Sequence, residues 1–252
     1  MATKTPKVII SLTSHSIRLK QVAKTTIWSI IQNTYANKHI VLTLFKDDVK
    51  LIPADLRLLI DKGLVELIVA DKDLGPHLKY FYAMQKYREC SVITVDDDVL
   101  YPHDMINKMT LAHLTYPQCV IARRSFLIMR DKEQIEPYAV WMRNFAGKRG
   151  PSMRLFATGI GGILYPPDIL TLSNDDIPEV LSVKYDDDFL LKVKEIRKNV
   201  EIVNICATHH ELYQKNLNDA YTQSIALWNG NKLGKSDSVI KRFSKEFMYA
   251  AK

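Results

Sequence analysis

Apolar positions fall into short runs separated by stretches of helical period, and this alternation is regular over the first hundred residues. Lys7-Val8-Ile9-Ile10-Ser11-Leu12-Thr13 is too short for a buried helix and rich in β-branched side chains. It predicts a strand covered on both faces, as parallel strands are. After a polar loop, Leu19, Val22, Ala23, Ile27, Ile30 and Ile31 recur at helical spacing. Residues 39–45 predict a second strand, which closes a βαβ unit with a right-handed crossover. Residues 53–62 predict a short helix with Pro at its start and Gly63 just past its end. A third strand over 64–69, a helix over 77–88 and a fourth strand over 91–95 follow. Strand and helix alternating in this way is the pattern of a nucleotide-binding α/β half.

Beyond Pro102 the pattern loosens. It predicts a helix over 103–116, a strand over 119–122, a helix over 189–197 and a late strand over 200–205 that ends near His209 and His210. Residues 138–154 hold aromatics, Arg and Gly without clear period. Thr158-Gly159-Ile160-Gly161-Gly162 places three glycines where backbone passes close to something, either a crossing strand or a substrate. Residues 239–249 pair apolar positions at helical spacing with a basic face, which suits a packed terminal helix or a helix lying on anionic lipid.

The chemistry concentrates where the fourth strand ends. Asp96-Asp97-Asp98 follows an apolar strand at the edge where open α/β sheets bind ligands. Carboxylates so clustered repel one another unless a hard divalent cation is present, so Mn²⁺ or Mg²⁺ is the expected cofactor. The competing reading is a solvated acidic turn. A second cluster, Asp186-Asp187-Asp188, favours a site.

The 252 residues suffice for one α/β domain, and no repeat or linker divides them. The boundary to draw is functional, near residue 100, between a nucleotide-binding half (1–102) and the rest of the same domain (103–252). Three well-separated cysteines without CxxC spacing argue against a disulfide framework or a zinc knuckle and fit a reducing compartment. The N-terminus lacks the apolar core of a signal peptide, and no apolar run reaches the roughly 18 residues of a membrane helix. A cytoplasmic protein is expected. A net charge of +7 suits nucleic acid, an anionic membrane surface or phosphorylated substrates. Its basic residues are dispersed and no nucleic-acid motif appears, so nucleic acid is not the expected partner.

Ser11-Leu12-Thr13-Ser14 with Arg18, Asp96-Asp97-Asp98-Val99-Leu100-Tyr101-Pro102, the segment from Thr158 to Pro167, and Asp186-Asp187 occur in the order seen in GT-A-fold glycosyltransferases. The chain resembles the family 2-like enzymes of bacterial surface-polysaccharide (lipopolysaccharide or capsule) synthesis. It departs from them after the late pair, where Asp188 and Phe189 stand instead of an apolar residue and Trp.

The resemblance implies an inverting transferase that moves one sugar from a nucleotide-sugar donor, such as UDP-galactose, to a saccharide or glycolipid acceptor, with a peripheral contact to the inner membrane surface. It implies Asp98 and Asp96 around the metal, with His209 or His210 as a further ligand. Ser11, Thr13, Arg18, Lys79, Asp97, Gly161 and Gly162 would line the donor, Asp47 or Asp48 would read the uracil or ribose, and Asp187 would be the general base, with Asp186 and Asp188 as alternatives. The 1–102 half would bind the nucleotide sugar and the 103–252 half would bind the acceptor and carry catalysis; Trp141 and Tyr165 suit a sugar face or, more commonly for aromatics, the core. A sugar-nucleotide pyrophosphorylase wants a Gly-rich basic loop after strand one, and residues 13–17 contain no Gly. A non-catalytic binding protein would not need the late acidic cluster.

Overall fold

The computed structural model describes residues 7–212, 215–217 and 235–252. The apolar runs of the first half become four strands, β1 (Val8–Thr13), β2 (Lys38–Phe45), β3 (Glu66–Ala70) and β4 (Ser91–Thr94). The helical pattern after β1 is divided at Val22 into α1 (Ser16–Gln21) and α2 (Ala23–Ile31). α3 (Ala54–Asp61) precedes β3, which begins later than the apolar run because the Leu64 and Val65 N–H groups both donate to Leu59 and close the helix. The expected helix over 77–88 opens as a 3₁₀ turn, Gly75–Lys79, before α4 (Phe81–Lys86).

The second half supplies β5 (Val99–Leu100), α5 (Met105–Thr115), β6 (Val120–Ala122), β7 (Ser125–Leu127), β8 (Arg130–Asp131) and β9 (Gln134–Ile135). Then come α6 (Tyr138–Trp141), β10 (Arg149–Ser152), β11 (Leu155–Ala157), β12 (Ile163–Tyr165), α7 (Ile177–Ser182), α8 (Asp187–Arg197), β13 (Ile202–Asn204) and β14 (Lys215–Asn216). Helices Lys235–Arg242 and Ser244–Ala250 end the chain.

Eight strands form one sheet in the order β10-β13-β6-β12-β4-β1-β2-β3. β3, β2, β1 and β4 are mutually parallel, and β6 is parallel to β13, whereas β12 runs antiparallel to both β4 and β6. That reversal places the site. Ile163, the first residue of β12, lies opposite Thr94, the last of β4, so the glycine turn before β12 meets the aspartates after β4. Ala122 and Asn204 end β6 and β13 in register beside them.

Alternate strand residues feed two apolar layers. Val8, Ile10, Leu12, Ile93 and Leu164 face α2, α3 and α5, while Val120, Ile163 and Tyr165 face α8 and the C-terminal helices. Val239, Ile240, Phe243 and Phe247 pack into the second layer, so the apolar stripe of the C-terminal segment is turned inward rather than toward lipid. Among the described residues no helix is long and apolar enough to cross a membrane.

Candidate active site

The aspartate triplet is held by an internal cation. Asp97 accepts from Ser14 Oγ at 2.5 Å and from the Arg18 guanidinium, whose Nη2 is also 2.6 Å from Asp98 Oδ2. Burial disfavours the Arg18 charge, but Asp97 and Asp98 outweigh it and raise its pKa. Arg18 therefore supplies neutralisation that the sequence assigned to a metal alone, through its Nη2, while its Nε is buried without a hydrogen-bond partner among the described residues. Thr26 Oγ1 donates to the Asp97 carbonyl at 2.8 Å and accepts from Val99 N–H at 3.1 Å, fixing the turn from below.

Asp96 is aimed elsewhere. Its Oδ1 accepts from Lys79 Nζ at 3.0 Å, and its N–H donates to Tyr101 Oη, which in turn donates to the Ile160 carbonyl. Lys79 Nζ also lies 2.7 Å from Asp187 Oδ2, so one ammonium joins clusters ninety residues apart in sequence. Asp188 accepts the Gly159 N–H on both oxygens at 3.2 Å. Asp186 takes a 3.4 Å hydrogen bond from Ser236 Oγ on the C-terminal helix. Burial pushes the Lys79 pKa down, but Asp187, Asp96 and Asp188 lift it well above the usual lysine value. The two carboxyls of the late cluster diverge. Burial works to raise the pKa of Asp187, but Lys79 overrides it and the net shift is downward. Asp188, raised by burial and then by the Asp187 charge, reaches about 7.

Gly159 lies among these groups. A Cβ built there would fall 2.6 Å from Lys79 Nζ and 3.0 Å from Asp96 Oδ1, too close for any side chain. Gly159→Ala should lower turnover about 10²-fold through a displacement of about 1 Å at the site, while circular dichroism and melting temperature stay near wild type.

Gly161 and Gly162 answer to the protein rather than to a substrate. A Cβ on Gly161 would be 2.9 Å from the Arg124 nitrogen, and Gly162 has φ +85° in the left-handed region. Gly161 thus sits where backbone passes backbone, and Gly162 is required by its own conformation.

Other expectations also change with burial. Ser11 is fully buried in β1 and cannot reach a donor. Trp141 and Tyr165, suited to sugars or core, are core residues. Trp141 packs against Phe156, Phe189 and Phe247, and both side chains are within 1% of complete burial. Thr13 Oγ1 donates to the Thr43 carbonyl at 2.8 Å. Asp48 accepts the N–H of Ser16, whose φ of +48° marks local strain at the start of α1, and Asp47 is exposed.

The histidine turn is drawn to the same edge. Arg123, fully buried, donates to the carbonyls of Gly161 at 3.1 Å, Leu212 at 2.5 Å and Glu211, tying residues 209–212 to the glycine turn. β14 pairs with β5, and Leu217 N–H donates to the Asp98 carbonyl at 2.8 Å. His210 is exposed, and the side chain of His209 lies outside the described residues. Arg123, Tyr101 and His77, all site-building, were not singled out as site residues in the sequence, because a lone Arg, Tyr or His after an apolar run carries no spacing signal.

Among the described residues no three His, Cys, Asp or Glu side chains converge on one point. Asp96 and Asp98 do offer carboxylate oxygens on one turn. That set fits Mg²⁺ or Mn²⁺ held by one or two carboxylates and completed by substrate phosphates and water, and it does not form a closed cage.

No protein-family model and no curated protein matches the chain. Solved structures resemble it. The mannosyltransferase PcManGT from Pyrobaculum calidifontis, in complex with GDP-Man and Mn²⁺, superposes with a TM-score of 0.56 at 12% identity over 99% of this chain and 70% of its own. S. aureus TarS 1–349 with UDP-GlcNAc gives 0.59 at 10% identity, over 95% of this chain and 66% of its own. The 4-diphosphocytidyl-2C-methyl-D-erythritol synthase of Anaerococcus prevotii gives 0.53 at 9% identity, over 91% of this chain and 99% of its own. At such identities the likeness is one of fold, and the chain is a single α/β domain whose mostly parallel, helix-flanked sheet is that of GT-A-like glycosyltransferases.

Proposed function

We propose that the protein transfers one sugar from a nucleotide-sugar donor to a hydroxyl of a saccharide or lipid-linked saccharide, with inversion at the anomeric carbon. The observation that supports this most is the meeting of Asp96, Lys79, Asp187 and Asp188 at the carboxyl edge of the parallel strands. One acidic cluster is thereby available to the donor and another to the acceptor. Asp188 is assigned as the general base, because its pKa of about 7 suits proton transfer near neutral pH. Asp187, the base expected from the sequence, is locked to Lys79 and is assigned as a counter-ion. Asp188 would accept the acceptor's proton while the hydroxyl attacks C1 on the face opposite the diphosphate, which leaves as the nucleoside diphosphate. When bound, Mn²⁺ or Mg²⁺ would be held by Asp98 and Asp96, with His209 or His210 as a further ligand, and would supply charge stabilisation to the leaving diphosphate. Asp48, Asp47 and Thr13 border the nucleoside side of this edge.

The GDP-Man and UDP-GlcNAc in the matched structures support a nucleotide-sugar donor, and a UDP-sugar is our choice. A family 2-like role in surface-polysaccharide synthesis at the cytoplasmic face of the membrane fits the two C-terminal helices, whose Lys241, Arg242 and Lys245 stay exposed. The likeness to the diphosphocytidyl synthase favours nucleotidyl transfer as the second reading. Product analysis separates the two, since glycosyl transfer releases a nucleoside diphosphate and nucleotidyl transfer releases or consumes pyrophosphate. In a donor screen, UDP or GDP release should need Mn²⁺ or Mg²⁺ and stop in EDTA. Asp98→Ala should mimic the chelator, weakening donor binding as well as rate. Full turnover in chelator overturns the metal role of the triplet.

A further inference from the structure

Resting on that reading, we propose that Lys79 is a positioning residue, an internal counter-ion that sets the late acidic turn against the aspartate triplet, and not a ligand of the donor phosphates. The Lys79 side chain is only 7% exposed; its ammonium donates to Asp96 and is ion-paired with Asp187 at 2.7 Å. The ammonium occupies the space that a Cβ at residue 159 would take, so the glycine there is what lets Lys79 reach both carboxylates.

The segment around Lys79 is fitted to the same turn at two more points. His77 Nε2 lies 3.0 Å from the Val183 carbonyl, to which it donates, and Nδ1 lies 2.7 Å from Tyr80 Oη, while burial lowers the pKa of the ring and favours its neutral form. Gly75 passes so close to Lys184 that a Cβ would meet its carbonyl at 2.9 Å, and Lys184 Nζ returns to Asp73 Oδ2 at 2.6 Å. Residues 73–79 thus form a template with contacts at Val183, Lys184 and Asp187. Of these contacts, the one from Lys79 continues on to Asp96. The separation between the carboxylate nearest the donor and the carboxylates nearest the acceptor is then set by a single side chain.

The test is a double-mutant cycle. Lys79→Met leaves Asp187 buried without its counter-ion, to be desolvated as a charge or forced to take up a proton, so its melting temperature should fall. Lys79→Met combined with Asp187→Asn removes both charges and should recover most of that loss. By calorimetry with Mn²⁺ and UDP-GlcNAc or GDP-mannose, Lys79→Met should bind the sugar nucleotide within a few-fold of wild type. Its kcat should nevertheless drop about 10²-fold, the cost of misplacing reacting groups. If Lys79→Met instead loses nucleotide affinity with an unchanged melting temperature, Lys79 binds phosphate and the proposal is overturned. If the double variant is no more stable than Lys79→Met, the bridge to Asp187 is wrong. Should wild type bind neither sugar nucleotide, the transferase reading fails, and the stability cycle alone still upholds or overturns the bridge.

Discussion

Asp188→Asn is expected to lower kcat by about 10²- to 10⁴-fold, the usual contribution of a positioned general base, with sugar-nucleotide affinity near wild type. In the wild type, the base is inactive when protonated, so kcat should rise with pH through a midpoint near 7, the value at which Asp188 gives up its proton. Asp187→Asn is expected to act differently. It removes the negative neighbour that lifts Asp188 and leaves Lys79 nearer to it in effect, so the midpoint should move to lower pH while part of kcat survives. A pH–rate profile of both variants decides the assignment. If Asp187→Asn abolishes kcat and Asp188→Asn retains it, the base is one residue earlier, as the sequence resemblance implies.

The second large effect lies away from the chemistry. Lys192 Nζ and Glu195 Oε2 are 3.5 Å apart on α8 with 1% and 2% of their side chains exposed, a loose ion pair in an apolar layer. Replacing one partner strands the other. Lys192→Met should cost about 3–5 kcal/mol, a fall in melting temperature on the order of 10 °C for a domain of this size. Burial raises the Glu195 carboxyl from 4.5 to about 7, against the pull of Lys192. Its stabilising contribution is therefore complete below the ordinary value and is lost as pH rises through 7. Without Lys192 the carboxyl's pKa rises further, so the loss should continue to higher pH instead of levelling off above 7, which thermal melts from pH 5 to 8 would show. Lys192→Met with Glu195→Leu should be as stable as wild type or more so, since well-packed apolar pairs often replace buried ion pairs without loss.

How far the sequence could be read depended on whether neighbours in the chain or neighbours in space decide each feature. β1 to β4 were legible because runs of Val, Ile and Leu of strand length need only local information. The triplet's place at the sheet edge followed directly. Arg18 was legible as a basic residue near the site, yet its pairing with Asp97 and Asp98 depends on how α1 sits over the strand ends. Trp141 and Tyr165 have side chains equally suited to a sugar face or a core, and only their burial separates the two. The three residues of β12 gave no sign of their direction, because a strand's polarity within a sheet is set by its partners. The bridge through Lys79 needed that direction first, since it is the reversal that brings Gly159 against Asp96 and Asp188.

The same reversal constrains how this protein can vary. Ile163 and Tyr165 fill one apolar layer and Leu164 the other, while the chain just before them touches both acidic clusters. Inserting or deleting one residue between β11 and β12 would shift the strand's register and turn each of these side chains to the wrong layer. Homologous chains can therefore change neither the length of this turn nor its three glycines, and the spacing between Ala157 and Ile163 is a ruler by which insertions elsewhere in the second half can be aligned.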